Sequence, residues 1–398
     1  MGVTVIDRTN HHLFQPLLYQ VASAVLSPED IAIPIRAVLR RQARTRVLLG
    51  EVTRVDLDRR TVQLAQEATP VPYDYLILAT GTRHAYFGHS DWEPLAPGLK
   101  TLSDALRMRR RILEAYEAGV RSRALGGEAR GPVFVIVGGG PTGVELAGAV
   151  VSMVRHSLAR DRLGVDPDRT RVVLAEAGPR ILASFSPVLS AYAAQYLGRL
   201  GVEVRVDCRV TQIAADHVQL ADERIAGAVV LWAAGNEASP LGRQLGATDA
   251  HGRVQVLPDL SVHGHREVFV AGDLAAAADP WGIVLPQVAP VATQQGRHAA
   301  AMVVRRVQGR PTVPFRFHNR GQMATLGRSA AVAQIGRARI TGPMGWLIWL
   351  LVHITALIGF QNRILVLVRW AAAYWADQPG ARILFETADG DPRGGPSS

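Results

Sequence analysis

The stretch 131-GPVFVIVGGGPTGVELAG-148 decides the fold. Val133 to Val137 is a short aliphatic and aromatic run of the kind that forms a strand buried on both faces. It enters Gly138-x-Gly140-x-x-Gly143 directly, and Val144 to Val154 then favours helix. The three glycines differ in what they permit. The first allows a tight turn, the second lets the backbone approach a pyrophosphate, and the third lets helix and strand pack closely. The helix N-terminus that follows turns its free N–H groups toward the phosphates. A bare glycine turn is a weak signal; a strand before it and a helix after it make it a dinucleotide-binding turn.

The next strand, 170-TRVVLAEAGPR-180, ends at Glu176. An acid there can accept hydrogen bonds from an adenosine ribose, and its charge repels a 2′-phosphate. It comes 38 positions after Gly138, the polar insert 155-RHSLARDRLGVDPDRT-170 accounting for the delay. NADH is therefore favoured over NADPH, with Arg180 as the group that would hold the extra phosphate instead.

The N-terminal stretch 1-MGVTVIDRTNHHLFQPLLYQ-20 repeats this second half: strand, acid, short polar turn, apolar residues, proline. Asp7 takes the place of Glu176. The parallel predicts a glycine turn roughly 25 to 40 residues upstream of Asp7, so a first nucleotide unit is expected here without its first βα unit. A start assigned too far downstream is the simplest account, and an incomplete protein is the other. Two more strands belong to that unit, 73-YDYLILATGTR-83, running into Ala79-Thr80-Gly81, and 265-HREVFVAGDLA-275, running into Gly272-Asp273. A strand closing on Gly-Asp can hold a ribitol hydroxyl while the glycine admits the cofactor. The same design recurs in 230-VLWAAGNEASP-240, with Gly235 expected near the nicotinamide end. The predicted fold is α/β, with two Rossmann-like nucleotide-binding domains, one inserted in the other. The boundaries are 1–102 and 253–320 for the interrupted domain, 103–252 for the inserted NADH domain, and 321–398 for a C-terminal region with a disordered tail.

The net charge is +10, and its placement matters more than its size. From Arg297 onward there are 13 arginines against four acids, so nearly all the excess lies in the C-terminal quarter, together with four of the seven tryptophans. Basic charge beside Trp-rich apolar helix points to an anionic lipid surface; a buried core helix with a solvated basic face is the alternative. Nucleic acid is disfavoured, because the basic residues alternate with aliphatic runs rather than with stacking aromatics. Trp346 to Phe360 holds 15 mainly apolar residues, short of the roughly 20 needed to span a bilayer. The polar break Gln361-Asn362-Arg363 follows, and then a second apolar run, which suits monotopic attachment by two short helices. The single cysteine, Cys208, excludes disulfides and dithiol redox chemistry.

These blocks, with "VAPVATQQG" and "MATLGRSAAVA", resemble type II NADH dehydrogenase, the single-subunit, non-proton-pumping NADH:quinone oxidoreductase, in the family's own order. The resemblance implies the two-domain flavoprotein fold, non-covalent FAD, NADH as hydride donor, a membrane quinone as acceptor, and attachment to the cytoplasmic face of the cell membrane. A homodimer is one expected assembly. It implies that Asp7 contacts the FAD adenosine ribose, that Ala79, Thr80 and Gly81 lie along the phosphates, and that Asp273 holds the ribitol beside Gly272. It also implies that Gly138, Gly140, Gly143 and Glu176 bind NADH, with Glu145 near the nicotinamide. The family's Ala-Gln-x-x-x-Gln quinone motif is altered: Ala289 to Gln294 reads APVATQ, with Pro290 at the first glutamine.

The flavin carries the hard step, so no acid-base triad is required. Glu145 would orient the nicotinamide, or else serve as a helix-start carboxylate favoured by the dipole. Gln294 or Gln295 would hydrogen-bond a quinone carbonyl, or else satisfy backbone at the start of their helix. His353 would relay protons to quinone, or else sit hydrogen-bonded in a helix contact. His11 and His12 lack further ligands at metal spacing and are expected as polar loop residues, with no metal site. Sulfide:quinone and disulfide reductases need at least two working cysteines, and a ferredoxin-type reductase would lack the basic apolar tail. The other rivals are another NAD(P)H:flavin reductase of the same fold and a flavin-free, membrane-associated NADH-binding relic.

Overall fold

Six helices frame the regions that bear on function: α1 (Leu18–Ala22), α2 (Leu102–Ala124), α3 (Pro141–Ser152), α4 (Ala289–Val307), α5 (Gly342–Ala356) and α6 (Phe360–Trp375). The structure is a computed structural model that describes residues 1–127, 131–158, 169–221, 223–375 and 383–384. Most of the 155–170 insert and the C-terminal tail, for which disorder was expected, lie outside the described residues. The chain divides into two units, one of residues 1–12, 32–88 and 234–322, the other of residues 13–31, 89–233 and 323–398.

The second unit is built on a parallel four-stranded sheet in the order Val202–Arg205, Arg171–Ala175, Val133–Val137, Ala228–Trp232. Its two middle strands read as unbroken apolar runs because both faces are covered, and Phe134, Ile136, Val173 and Leu174 are fully buried. Each such side chain contributes about 1.5–3 kcal/mol of apolar burial. Leaving Val133–Val137, the chain turns at Gly138 (φ +106°) and starts α3 with Pro141 in its first turn. α3 ends at Ser152, where a π-helical turn over Met153–Leu158 takes up the rest of the expected helix. Thr101 and Asp104 close a reciprocal capping box at the start of α2.

In the same unit, a three-stranded sheet of Gln322–Thr325, Ala331–Ile335 and Ala338–Thr341 leads into α5 and α6. A Cβ on Gly345 would stand 2.5 Å from the Ala331 carbonyl oxygen, so the glycine lets α5 sit directly on the strand. The rings of Trp349 (α5) and Trp370 (α6) pack 5.4 Å apart, both buried. The opposite faces are exposed and apolar: Met344, Leu347, Leu351 and Val352 on α5, and Ile364, Leu365, Leu367 and Val368 on α6. The break between the helices, expected at the polar residues 361–363, falls earlier, at Leu357–Gly359, where Gly359 takes φ +89° and Arg363 turns back to hydrogen-bond the Leu357 and Thr355 carbonyls at the end of α5. Among the described residues no helix is long and apolar enough to cross a membrane.

In the first unit, Val3–Asp7 pairs in parallel with Thr45–Leu49, from Val3↔Thr45 to Asp7↔Leu49. Leu76–Leu78 pairs in parallel with His265–Val270, which also meets Ser261–Val262. The N-terminal strand is only half-buried, with Val3 exposed.

Candidate functional site

The glycine turn of the second unit is built for a backbone that nothing else may approach. A Cβ on Gly143 would lie 1.8 Å from the Gly138 carbonyl oxygen, so no side chain fits where α3 meets the strand. Gly140 sits at the N-cap of α3 with no side-chain cap and open space where its Cβ would be. The first N–H groups of the helix are thereby left for an anion, and the turn fits a pyrophosphate. Glu176, at the end of the adjacent strand, spans the turn: Oε2 accepts from the Gly139 N–H at 2.6 Å and Oε1 from the Gly178 N–H at 2.7 Å. Arg180 points elsewhere, donating to the Phe185 and Ala183 carbonyls at 2.7 and 2.6 Å. The guanidinium that held open a 2′-phosphate is committed to its own loop.

Glu145 is the fifth residue of α3, and the first turn carries no acid, so the helix-dipole account of this carboxylate loses its basis. The residue is half-buried, with its carboxyl set among buried groups of the fold. Burial pushes it up to about 8, opposed only by the Thr325 N–H, which donates to Oε1 at 3.3 Å. A carboxyl so poised is divided between its neutral and charged forms near neutral pH, and can both donate and accept. Thr325 in turn meets the Tyr19 hydroxyl at 2.9 Å. Sequence reasoning assigned no role to Tyr19, Gln20 or Thr325; no spacing rule joins α1 to a strand some 300 positions on.

In the first unit, Asp7 folds over its own turn, Oδ1 accepting from the Thr9 N–H and hydroxyl at 2.7 and 2.8 Å. Ala79 and Thr80 are exposed after Leu76–Leu78, and Gly81 takes φ +64° while its carbonyl receives the Ser239 N–H. Gly272 takes φ +76°, a conformation that glycine reaches without strain. The Gln295 side-chain oxygen receives the Gly272 N–H at 2.7 Å, Gln287 donates to the Asp273 carbonyl at 2.9 Å, and Thr82 approaches the Asp273 carboxylate at 3.4 Å. These acids and glycine turns fit the ribose and ribitol ends of a flavin dinucleotide. Gly235 also lies in this unit, at φ +71°, its missing Cβ pointing at the Phe87 ring.

Both glutamines of α4 are engaged with backbone. Gln295 is buried on Gly272, and Gln294 exchanges two hydrogen bonds with the His318 backbone, at 3.0 and 3.1 Å. His353 hydrogen-bonds the Trp349 carbonyl one turn back at 2.7 Å and stacks on the Trp349 ring at 4.3 Å. Burial pulls it down to about 4, so it is neutral at physiological pH. His12 is exposed at the strand His11–Leu13, and no cluster of potential metal ligands occurs among the described residues.

Comparison with known proteins agrees with this fold. The family model described as pyridine nucleotide-disulphide oxidoreductase matches residues 1–296. The chain belongs to that family. A type II NADH:quinone oxidoreductase of Mycobacterium tuberculosis, NdhA, is 41% identical over 96% of this chain and 84% of its own length. A type II NADH:quinone oxidoreductase of Staphylococcus haemolyticus is 28% identical over 85% of this chain and 84% of its own. NDH2 of Plasmodium falciparum, solved in complex with NADH, shares the fold with a TM-score of 0.84 at 18% identity, covering 95% of this chain and 94% of its own. Within its family, the chain is a member of the type II NADH:quinone oxidoreductases.

Proposed function

We propose that this chain oxidises NADH and reduces a membrane quinone through bound FAD, from a monotopic position on the membrane face where NADH is found, the cytoplasmic one. FAD, held by Asp7, Ala79, Thr80, Gly81, Gly272 and Asp273, would supply the redox chemistry between NADH as hydride donor and the quinone as two-electron acceptor. The protein's own residues bind and orient. Gly138, Gly140 and Gly143 seat the NADH pyrophosphate at the start of α3, Glu176 takes the adenosine ribose, and Glu145 faces the nicotinamide end. Asp7 takes the flavin's adenosine ribose, Ala79, Thr80 and Gly81 follow its phosphates, and Asp273 takes its ribitol beside Gly272. Gln295 supports that turn through Gly272, and Gln294 remains the candidate for a quinone carbonyl, at the cost of its bond to His318. Gly235 is assigned to the nicotinamide end.

The observation that carries this reading is the Glu176 carboxylate lying across the glycine turn while Arg180 is tied to its own loop. A fixed negative charge there selects against a 2′-phosphate. Replacing Glu176→Gln is expected to lower the ratio of kcat/KM for NADH over NADPH by about tenfold or more, mainly by improving NADPH. An unchanged ratio in steady-state assays with a short-chain quinone would overturn the assignment.

A further inference from the structure

We propose that Tyr19, acting with Gln20 and Thr325, is a positioning residue for Glu145, and that the hydrogen-bond chain these residues form ties the Glu145 carboxyl to the C-terminal helix α6 at Trp370. The inference rests on the assignment of Glu145 to the nicotinamide end.

Four links make the chain, all within one unit of the fold. The Trp370 Nε1–H donates to Gln20 Oε1 at 2.7 Å, Gln20 Nε2 donates to the Tyr19 hydroxyl at 3.0 Å, the Tyr19 hydroxyl meets Thr325 Oγ1 at 2.9 Å, and the Thr325 N–H donates to Glu145 Oε1 at 3.3 Å. Chemistry sets the direction of the first two links. An indole N–H only donates, so Gln20 must turn its oxygen to Trp370 and its amide nitrogen to Tyr19. The Tyr19 oxygen accepts from that amide, and either hydroxyl of the Tyr19–Thr325 pair can donate to the other.

Tyr19, Gln20, Thr325 and Trp370 are all at most 8% exposed, and their neighbours in α1, Leu18, Val21 and Ala22, are fully buried or nearly so. Apolar side chains would fill such a core without a desolvation cost. Polar ones persist only as a satisfied set, and this set ends on the peptide that touches Glu145. A cavity of about 70 Å³ runs beside it, lined by Tyr19, Gln20, Ser152, Thr325, Arg328 and Trp349 among others, and the buried Trp349 Nε1–H beside it has no hydrogen-bond partner among the described residues. Loss of one hydroxyl there borders existing space rather than opening a new void. Arg328 is the charged side chain lining that cavity, and the Glu145 shift itself arises from burial and the Thr325 N–H, with no charged neighbour contributing.

The sign of the effect follows from the donor's position. A donor to the charged carboxylate lowers its pKa. Removing the Tyr19 hydroxyl frees Thr325, weakens its N–H bond to Oε1, and should raise the Glu145 midpoint. The test is an infrared titration of the protonated-carboxyl band between pH 6 and 10 on the full FAD-loaded chain, assigned through its loss in Glu145→Gln. In Tyr19→Phe the midpoint is expected to rise by about half a unit, a threefold change in the proton equilibrium. Trp370→Phe should give a smaller shift of the same sign, with far-UV circular dichroism unchanged in both. Unchanged midpoints in both variants overturn the proposal, as does a shift in Tyr19→Phe with none in Trp370→Phe for the link to α6. NADH affinity of Glu145→Gln is measured separately: if it equals that of the native chain, the placement of Glu145 at the nicotinamide end fails, while the infrared shifts still decide the chain.

Discussion

Glu145 is the residue whose chemistry differs most from its exposed counterpart, and the difference has a thermodynamic consequence. Its carboxyl titrates at about 8 in the folded protein because burial disfavours the charge. In the unfolded chain it titrates in the ordinary glutamate range, near 4.3. The folded state therefore holds a proton that the unfolded state gives up, and stability contributed by the neutral carboxyl is complete at low pH and lost as pH rises from about 4 through about 8. Glu145→Gln, which keeps the shape and removes the titration, should melt close to the native protein at pH 5 and above it at pH 9. Calorimetry at the two pH values checks this, and an equal difference at both would show that Glu145 does not carry the shift. At this scale the sequence was legible where backbone geometry dictates residue type: Gly138, Gly140 and Gly143 are readable because a Cβ is sterically refused or a backbone must be approached. It was illegible at Tyr19 and Thr325, whose importance comes from partners that only the tertiary fold brings together.

At the scale of elements, α6 is held on the unit by a polar latch rather than by apolar packing alone. Arg369 pairs with Asp30 at 3.0 Å and donates to the Ser27 hydroxyl at 2.7 Å, while Asn362 reaches the Glu29 and Asp30 carbonyls at 3.2 Å. Asp30 is buried, which raises its pKa, while the Ser27 N–H and Arg369 draw it back. Breaking a buried pair leaves a carboxylate without its cation, a loss of about 1–3 kcal/mol after allowing for the exposure of Arg369. Arg369→Gln should therefore speed amide exchange in α6 by about tenfold or more while leaving α3 unchanged, read by mass spectrometry. Unchanged exchange in α6 would mean that Trp370 and Val366 hold the helix without the latch. Arg363 and Arg369 are two of the 13 C-terminal arginines on which the expectation of a basic surface turned to lipid rested. Arg363 caps α5 and Arg369 is paired with an acid far upstream, a pairing that the local apolar pattern does not encode.

For the whole molecule, this relocation of charge changes which force would hold it at the proposed membrane surface. The C-terminal excess of positive charge suggested electrostatic attraction to anionic lipid, worth about 1 kcal/mol per basic residue near the surface and screened by salt. With Arg363 bonded to the end of α5 and Arg369 paired with Asp30, Arg337 and Arg339 at the hairpin before α5 are exposed, unlatched basic residues close to the helices among the described residues. Against them stand eight exposed apolar side chains on the outer faces of α5 and α6. Burial of each side chain is worth about 1.5–3 kcal/mol when complete, so even partial insertion outweighs two surface charges. Attachment should then be driven by apolar contact: the chain should float with zwitterionic as well as anionic vesicles and stay bound in 1 M salt, where the Debye length is about 3 Å. Leu347→Glu with Leu351→Glu, both on exposed α5 positions, should abolish flotation without altering NADH affinity. Release by salt, a requirement for anionic lipid, or flotation that survives the two glutamates would each return the binding force to the charges.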